Sequence, residues 1–454
     1  MLKETKRKIK KDMKKEVDIK VNKEKTGFTK LEKSWILYDI GNSAFILMVS
    51  TLIPIYFNSL SERGGLSPAE YLAYWGYAAS IATLVVAFLG PVCGTLADTK
   101  NFKKPIFFLS LLVGVIGCMS LGMYSSWVIF LAVYVITKIG YSTSLVFYDA
   151  MLNDVTEEER VDQVSSSGFG WGYIGSCIPF VVCLILVLKG ESFGISGQMS
   201  MILSFVIVGI WWLLATIPLL KHYRQKNYVE RQPKVLRQSF CRLGGTLKDI
   251  RKDKKIFLFL LAYFFYIDGV YTIIEMATAY GQSLGLDSTG LLLALLVTQI
   301  VAFPSSIVFG KLTKKFRTEN LIALCIIAYT GISLFALLMT SQIHFWILAI
   351  CVGLFQGGIQ ALSRSYFARI IPAEKSGEYF GIMDICGKGA SFIGTLLVGV
   401  VSQITGSTNQ GVAVLSVLFL VGLALFRKSC IGEGEKGRVQ QFLENKRIYT
   451  KDTV

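Results

Sequence analysis

Gly94-Thr95-Leu96-Ala97-Asp98-Thr99-Lys100-Asn101-Phe102-Lys103-Lys104 is the stretch on which the fold turns. It joins an apolar segment at roughly 70–97 to another at roughly 104–125. The junction is short, carries the carboxylate of Asp98 and ends in a basic pair. Asn101 sits where the chain reverses, and Asn tolerates the left-handed conformation of a tight turn better than most residues. Apolar runs of this length, joined so briefly, read as consecutive membrane helices, each of which needs ~20 apolar residues.

Outward from this junction the pattern repeats in both directions. Twelve apolar segments lie at roughly 34–60, 70–97, 104–125, 126–148, 165–189, 198–220, 255–281, 287–313, 319–341, 342–366, 377–404 and 409–427. Several exceed ~20 residues, which implies tilt or ends that protrude from the bilayer. The composition agrees: 17% of the 454 residues are charged and 53% are hydrophobic, whereas soluble chains carry about 25% charged residues. The expected fold is all-α, with twelve transmembrane helices. The longest polar stretch between spans, 221–254, leaves no room for a soluble catalytic domain. Nine cysteines, most of them in apolar runs (Cys93, Cys118, Cys177, Cys183, Cys325, Cys351, Cys386), argue against a disulfide scaffold. His222 and His344 stand at opposite ends of spans, so a structural zinc site is not expected, and no cofactor is implied. The first 33 residues are charged throughout, so no secretory signal peptide is expected there.

The net charge of +16 is distributed by side. With twelve spans, both termini and every even-to-odd loop fall on one face, and that face carries 43 of the 47 Lys and Arg residues. The opposite face has Arg63 and Lys189; Lys138 and Lys388 are inside spans. Positive charge collects on the cytoplasmic side of membrane proteins, so both termini are expected there. The basic tail 1–33 is read as touching anionic lipid. No folded nucleic-acid module accompanies it, so no nucleic-acid partner is expected.

The loop 221–254 divides the chain into six spans and six. The expected organisation is a tail (1–33), an N-terminal bundle (34–220), a linker (221–254), a C-terminal bundle (255–427) and a tail (428–454). The halves echo each other. Tyr38-Asp39-Ile40-Gly41 matches Tyr266-Ile267-Asp268-Gly269. Gly94-Thr95-Leu96-Ala97-Asp98 matches Gly310-Lys311-Leu312-Thr313-Lys314. Gly140…Tyr148-Asp149-Ala150 matches Gly358…Tyr366-Phe367-Ala368. Three matches in the same order argue for a duplicated six-helix unit. Two such parallel repeats are a transporter arrangement, with the solute near the midplane between them.

The opening stretch resembles the loop 2–3 signature of the major facilitator superfamily. It keeps Gly94, Leu96, Ala97, Asp98 and the basic end Lys103-Lys104. It departs at Thr99 and Phe102, where the signature has Arg, and at Asn101, where it has Gly. A narrower resemblance is carried by Trp35-Ile36-Leu37-Tyr38-Asp39-Ile40-Gly41-Asn42-Ser43-Ala44-Phe45, Gly172-Tyr173-Ile174-Gly175, Tyr266-Ile267-Asp268-Gly269 and Gly357-Gly358-Ile359-Gln360-Ala361-Leu362-Ser363-Arg364-Ser365. These look like the vacuolar, autophagy-related effluxer branch of the superfamily. That resemblance implies the major facilitator fold, a secondary transporter, a small polar solute with amino acids as one candidate, and a monomer. The long fungal loops are absent, and the compact, Lys-rich chain reads as a bacterial-type member in the cell (plasma) membrane.

Ionisable groups within spans are costly and so mark candidate sites. At 1.5 Å per residue, Lys138 lies ~18 Å from the outer end of span 4, and Asp268 ~20 Å from the cytoplasmic end of span 7. Lys388 and Asp384 lie ~16 and ~10 Å into span 11, and Glu275 lies ~30 Å along span 7, near the outer face. Asp384 and Lys388 are i,i+4 and can pair. Asp268 and Glu275 share a helix face, and Asp39 and Asp268 hold near-equivalent places in the halves. For Asp39, Asp268, Glu275, Asp384 and Lys388 three readings stand: proton or ion coupling, a fixed ion network, or direct contact with the substrate. Lys138 or Lys388 is the expected partner of Asp268.

Gln356, Gln360 and Arg364 form one polar stripe on span 10, which should face a cavity or another helix. Asn42, Lys138, Trp171, Gln356 and Gln360 are the candidate substrate contacts, with Ser43 and Gln299 as weaker ones. Gly94, Asp98, Lys103 and Arg364 are the candidate gate, although a cation as near the membrane edge as Arg364 can also snorkel. The acidic loop 4–5 (Asp149, Asp154, Glu157, Glu158, Glu159, Asp162) reads either as a latch onto the basic segments 98–104 and 363–377 or as a solvated charge run. Gly170-Trp171-Gly172-Tyr173-Ile174-Gly175 spells a dinucleotide fingerprint, but it opens an apolar span with no strand before it. Gly168, Gly172 and Gly175 are read instead as small surfaces for helix packing. Two other classes, a membrane-embedded enzyme and a non-transporting sensor or scaffold, lack a reactive cluster and an output domain respectively.

Overall fold

The computed structural model describes residues 27–230 and 235–431; the tails beyond them, including most of 1–33 and 428–454, lie outside the described residues. The first six membrane helices are α1 (Lys30–Arg63), α2 (Pro68–Ala97), α3 (Lys103–Ser120), α4 (Trp127–Ala150), α5 (Val161–Lys189) and α6 (Gly197–His222). The second six are α7 (Lys254–Ser283), α8 (Ser288–Leu312), α9 (Thr318–Phe335), α10 (Gln342–Ile370), α11 (Ser376–Thr405) and α12 (Thr408–Ile431). Eleven of them carry an apolar window long enough to cross a membrane, and α11 contributes the shorter apolar stretch Ile393–Thr405. The protein is thus a multi-pass membrane protein, with twelve helices in the bundle among the described residues.

Local chemistry sets the helix ends. Thr29 and Ser67 begin α1 and α2 as capping boxes with Glu32 and Glu70, and Pro68 adds a preset φ at the first helical position. Within α1 the helix breaks at Thr51, whose φ and ψ are −132° and −79°. Pro54 explains the break: it cannot donate to the carbonyl of Ser50, and its ring crowds that carbonyl. Asn101 holds φ +65°, the left-handed turn expected between α2 and α3.

In the N-terminal six, α1 packs on α5 and α6, and α3 on α4. In the second six, α7 packs on α11, and α8 and α9 on α10. Across the halves α2 runs along α11, and α5 along α8 and α10. Glycines allow this crossing: a Cβ added to Gly94 would meet the Gly377 carbonyl oxygen at 2.1 Å, and one added to Gly381 would meet Gly90 backbone at 2.8 Å. The three glycines of the GxGxxG-like region pack on α1 in the same way. Added Cβ atoms at Gly168, Gly172 and Gly175 would strike Asp39, Ser43 and Ile40 at 2.5–2.7 Å.

The linker is more structured than a polar loop. Residues 225–230 lie against the α2–α3 turn, with Val229 N–H donating to Asp98 O at 2.8 Å and Lys100 N–H to Val229 O at 3.1 Å. Val235–Lys252 forms a helix beside α2. Leu243, Thr246 and Ile250, spaced three and four apart, are the helical signal that a reading of charge alone passes over. The loop between α4 and α5 likewise contains two short turns, Leu152–Val155 and Glu158–Arg160. The face bearing the α2–α3, α4–α5, α8–α9 and α10–α11 loops and the linker is called the basic face below.

Candidate functional site

Arg364 lies on the inner side of α10 and is only 5% exposed, so it does not snorkel. Its Nε donates to Ser165 Oγ at 2.9 Å and Nη1 to Asp149 Oδ1 at 3.0 Å. Nη2 donates to Asp39 Oδ2 at 3.3 Å and to Ser165 O at 3.0 Å. The guanidinium carbon stands 4.2, 4.6 and 5.5 Å from the ring centres of Phe169, Trp35 and Tyr148. Trp35 and Tyr148 stack at 4.3 Å and exchange hydrogen bonds with each other's backbone carbonyls. A buried guanidinium is tolerable only when paired and hydrogen-bonded in this way.

A second cluster joins the halves at the loop 2–3 stretch. Asp98 is fully buried, and its carboxylate accepts from Gly377 N–H at 2.8 Å and Glu378 N–H at 2.9 Å. These are N–H groups of the first turn of α11, which lack intrahelical acceptors and favour an anion. Lys103, also fully buried, reaches Asp98 at 3.6 Å and Asp154 at 3.5 Å, and donates to Ser376 Oγ at 2.9 Å. Lys103 therefore serves as the cation of this loop, where the superfamily signature also has Arg at 99 and 102. Burial pushes the Asp98 carboxyl up to about 7, against the pull of Lys103 and the two backbone N–H groups. Glu378 beside it is buried under Arg242 and Thr246 of the linker helix.

A third cluster centres on Asp162 at the start of α5. It accepts from Thr318 Oγ1 at 2.8 Å, from Ser365 Oγ and from Arg369 Nη1 at 2.6 Å. Of the acidic loop, then, Asp149, Asp154 and Asp162 enter ties, while Glu157, Glu158 and Glu159 are exposed. All three clusters join one half to the other on the basic face.

Above Arg364, toward the midplane, the other candidates sort themselves. Asn42 donates to Asp39 Oδ1 at 3.3 Å. Gln360 accepts from Tyr173 OH at 3.2 Å. Gln356 is 5% exposed, and its Oε1 has no hydrogen-bond partner among the described residues. It borders a cavity of about 40 Å³ between α7, α8 and α10, together with Thr298, Gln299, Ile273 and Val352. Lys138 is half-buried on α4, 5.8 Å from the ring centre of Tyr141, and it acts electrostatically on Glu275 of α7. Trp171 does not join this group: it is 44% exposed, stands on the far side of α5 from Tyr173 and meets Phe303 at 5.0 Å.

Asp268 does not meet Lys138, the first of its two expected partners. It is fully buried, and Oδ1 accepts from Gly394 N–H at 3.0 Å and Thr272 Oγ1 at 3.3 Å. Its Oδ2 has no partner among the described residues, and Lys138 stands by Glu275 instead. The reason is position along α7: seven residues separate the two carboxylates by ~10 Å on one face, so Asp268 meets the α11 backbone while Glu275 lies nearer the level of Lys138. Asp384 is half-buried on α11. The side chain of Lys388 lies outside the described residues, and with it the expected Asp384–Lys388 pair. Sequence reading did not single out Trp35, Tyr148, Ser165, Phe169 or Tyr173 as side chains that act together; Trp35, Tyr148 and Tyr173 lie within stretches quoted for other reasons.

The family model described as "Vacuole effluxer Atg22 like" matches residues 67–441. The chain belongs to the Atg22-like family. A relative in Bacillus subtilis (strain 168), named as the uncharacterized MFS-type transporter YxiO, is 45% identical over 403 residues, covering 88% of this chain and 94% of its own. Autophagy-related protein 22-1 of Aspergillus niger is 26% identical over 303 residues, covering 60% of this chain; the match spans about half, 48%, of that longer relative. Among solved structures, the human organic anion transporter MFSD10 (TETRAN) superposes with TM-score 0.66 at 14% identity, covering 87% of this chain and 98% of that one. FucP of E. coli in the outward conformation gives TM-score 0.66 at 15% identity, covering 88% and 97%. This Atg22-like chain therefore has the major facilitator fold of two six-helix halves. It is an MFS-type transporter and not an enzyme.

Proposed function

We propose that this protein is a secondary active transporter of a small polar solute, with amino acids as the candidate class. It works as a monomer by alternating access, through rocking of the two halves about a midplane site. The basic face is the cytoplasmic face of the cell membrane, by the distribution of Lys and Arg. The observation that carries this reading is the closure of one face by three ties between the halves, centred on Arg364, Asp98 and Asp162. Charged groups so placed favour two discrete arrangements, because opening must re-hydrate or re-pair every one of them. Asn42, Lys138, Gln356 and Gln360 are the proposed solute contacts, and Gly94, Asp98, Lys103 and Arg364 form the gate.

Asp268 is the proposed proton carrier, and Asp39, Glu275 and Asp384 complete the acidic set. Its support is burial with one carboxyl oxygen unpartnered among the described residues, a setting in which a permanent charge is costly and a proton would remove it. The test is flux of a panel of labelled amino acids into or out of proteoliposomes, with and without an imposed proton gradient. Accumulation of at least one, driven by the gradient, is expected. Flux of another solute class alone overturns the amino-acid reading, and no flux of any solute overturns the transporter mechanism as stated.

A further inference from the structure

Among the described residues, the groups that bond to Arg364 or stack on it belong to the N-terminal half: Trp35 and Asp39 on α1, Tyr148 and Asp149 on α4, Ser165 and Phe169 on α5. The cation alone comes from the other half. Two carboxylates face one guanidinium, and Asp384 of α11 adds a third carboxylate within electrostatic reach of Asp149. Gly168 forms part of the wall, since a Cβ there would meet Asp39 Oδ2 at 2.5 Å and Trp35 at 3.0 Å. The enclosure is thus a preformed cation receptor, with an intramolecular occupant.

We propose that this enclosure is a binding subsite for organic cations, primary ammonium or guanidinium groups, which Arg364 occupies while the cytoplasmic face is closed and vacates when it opens. The proposal rests on the alternating-access reading above. When the halves part on that face, α10 carries Arg364 away from α1, α4 and α5. The enclosure is left with two carboxylates, the Ser165 carbonyl and hydroxyl, and three aromatic rings, and it faces the side from which a solute enters or leaves. The buried carboxylate of Asp39 and the half-buried one of Asp149 are costly without a counterion, so a cation from the solute stabilises the open state. The aromatic faces select weakly hydrated organic cations over small, strongly hydrated metal ions. The enclosure also adjoins the proposed solute contacts, because Asp39 takes the hydrogen bond of Asn42 and Gln360 lies one turn from Arg364. Arg364 and the solute cation therefore compete for one place, which links release of the solute to closure of the gate.

The test uses the full chain in nanodiscs with Arg364→Ala, probed with guanidinium and with urea, its neutral planar analogue. Guanidinium should bind saturably and raise the thermal unfolding midpoint of this variant, and urea should do neither. Adding Asp39→Asn should weaken guanidinium binding by about tenfold or more, the size of one lost buried charge contact. Equal effects of urea, or of guanidinium on the parent protein, overturn the proposal. A second measurement covers failure of Arg364→Ala to fold. Agmatine added to the cytoplasmic side of oriented vesicles of the parent should inhibit solute flux about tenfold more strongly than from the outside. Equal potency from both sides, or none, overturns the proposal. Saturable guanidinium binding in a protein that moves no solute would instead uphold the subsite and overturn the transport reading.

Discussion

Gly94→Ala should open the closed face without touching a charge. The Cβ of alanine at 94 would stand 2.1 Å from the Gly377 carbonyl oxygen and 2.6 Å from its carbon, both backbone atoms of α11. Ordinary contact needs ~3.5 Å or more, so α2 and α11 must separate by more than 1 Å at this level. The carboxylate of Asp98, one turn on, holds Gly377 and Glu378 N–H at 2.8 and 2.9 Å. Separation on that scale takes both beyond hydrogen-bond range. Hydrogen bonds to a charged acceptor contribute about 1.5–3 kcal/mol each. The loss is therefore about 3–6 kcal/mol, or on the order of 10²–10⁴ in the closed-to-open ratio. Spin labels at Glu159 and Glu374, both exposed on the basic face in opposite halves, report it by pulsed dipolar spectroscopy. The variant should shift the main distance outward, and labels at Arg63 and Thr340 on the opposite face should approach each other. A Gly94→Ala protein with the parent's distance distribution on both faces refutes the claim that this crossing holds the face shut.

Asp98 should also make closure depend on pH. Its carboxyl lies near 7 when buried in the closed face and near ~3.9 when hydrated. Because closure raises this pKa, protonation favours the closed state: the gain is complete below about pH 4 and is lost as pH rises through about 7. The parent's closed fraction should fall between about pH 6 and 8, and that of Asp98→Asn should stay flat over the same range. Arg364→Lys keeps the charge but not the planar fork that serves Asp39, Asp149 and Ser165 together. Its initial transport rate should drop by about tenfold or more, while its size-exclusion profile and helix content match the parent. Asp268→Asn should abolish proton-driven accumulation yet keep solute exchange across the membrane. Accumulation equal to the parent's, with the same pH profile, would show that Asp268 is structural.

Periodicity and charge placement carried the fold in the sequence. Twelve apolar runs, basic residues on one side and three echoes between halves require little beyond the cost of leaving backbone polar groups unsatisfied in a bilayer. The turn at Asn101 and the packing glycines at 168, 172 and 175 were legible for the same reason, because their effects are local to one helix or one turn. The gate was half legible. Asp98, Lys103 and Arg364 stood out as charges in unusual places, and the acidic loop as a candidate latch. What no one-dimensional reading supplies is which charge meets which. Arg364 finds Asp39 and Asp149, which stand 325 and 215 positions away in the chain, through the crossing of α10 with α1, α4 and α5. Asp268 and Glu275 share a helix face, yet at different levels along it one meets the α11 backbone and the other the charge of Lys138, and Trp171 points away from the neighbours that Tyr173 meets. Helix rotation and crossing are set by the packing of many side chains at once. Depth in the membrane is therefore readable from residue counting, whereas the partner of a buried charge is decided only by the assembled bundle.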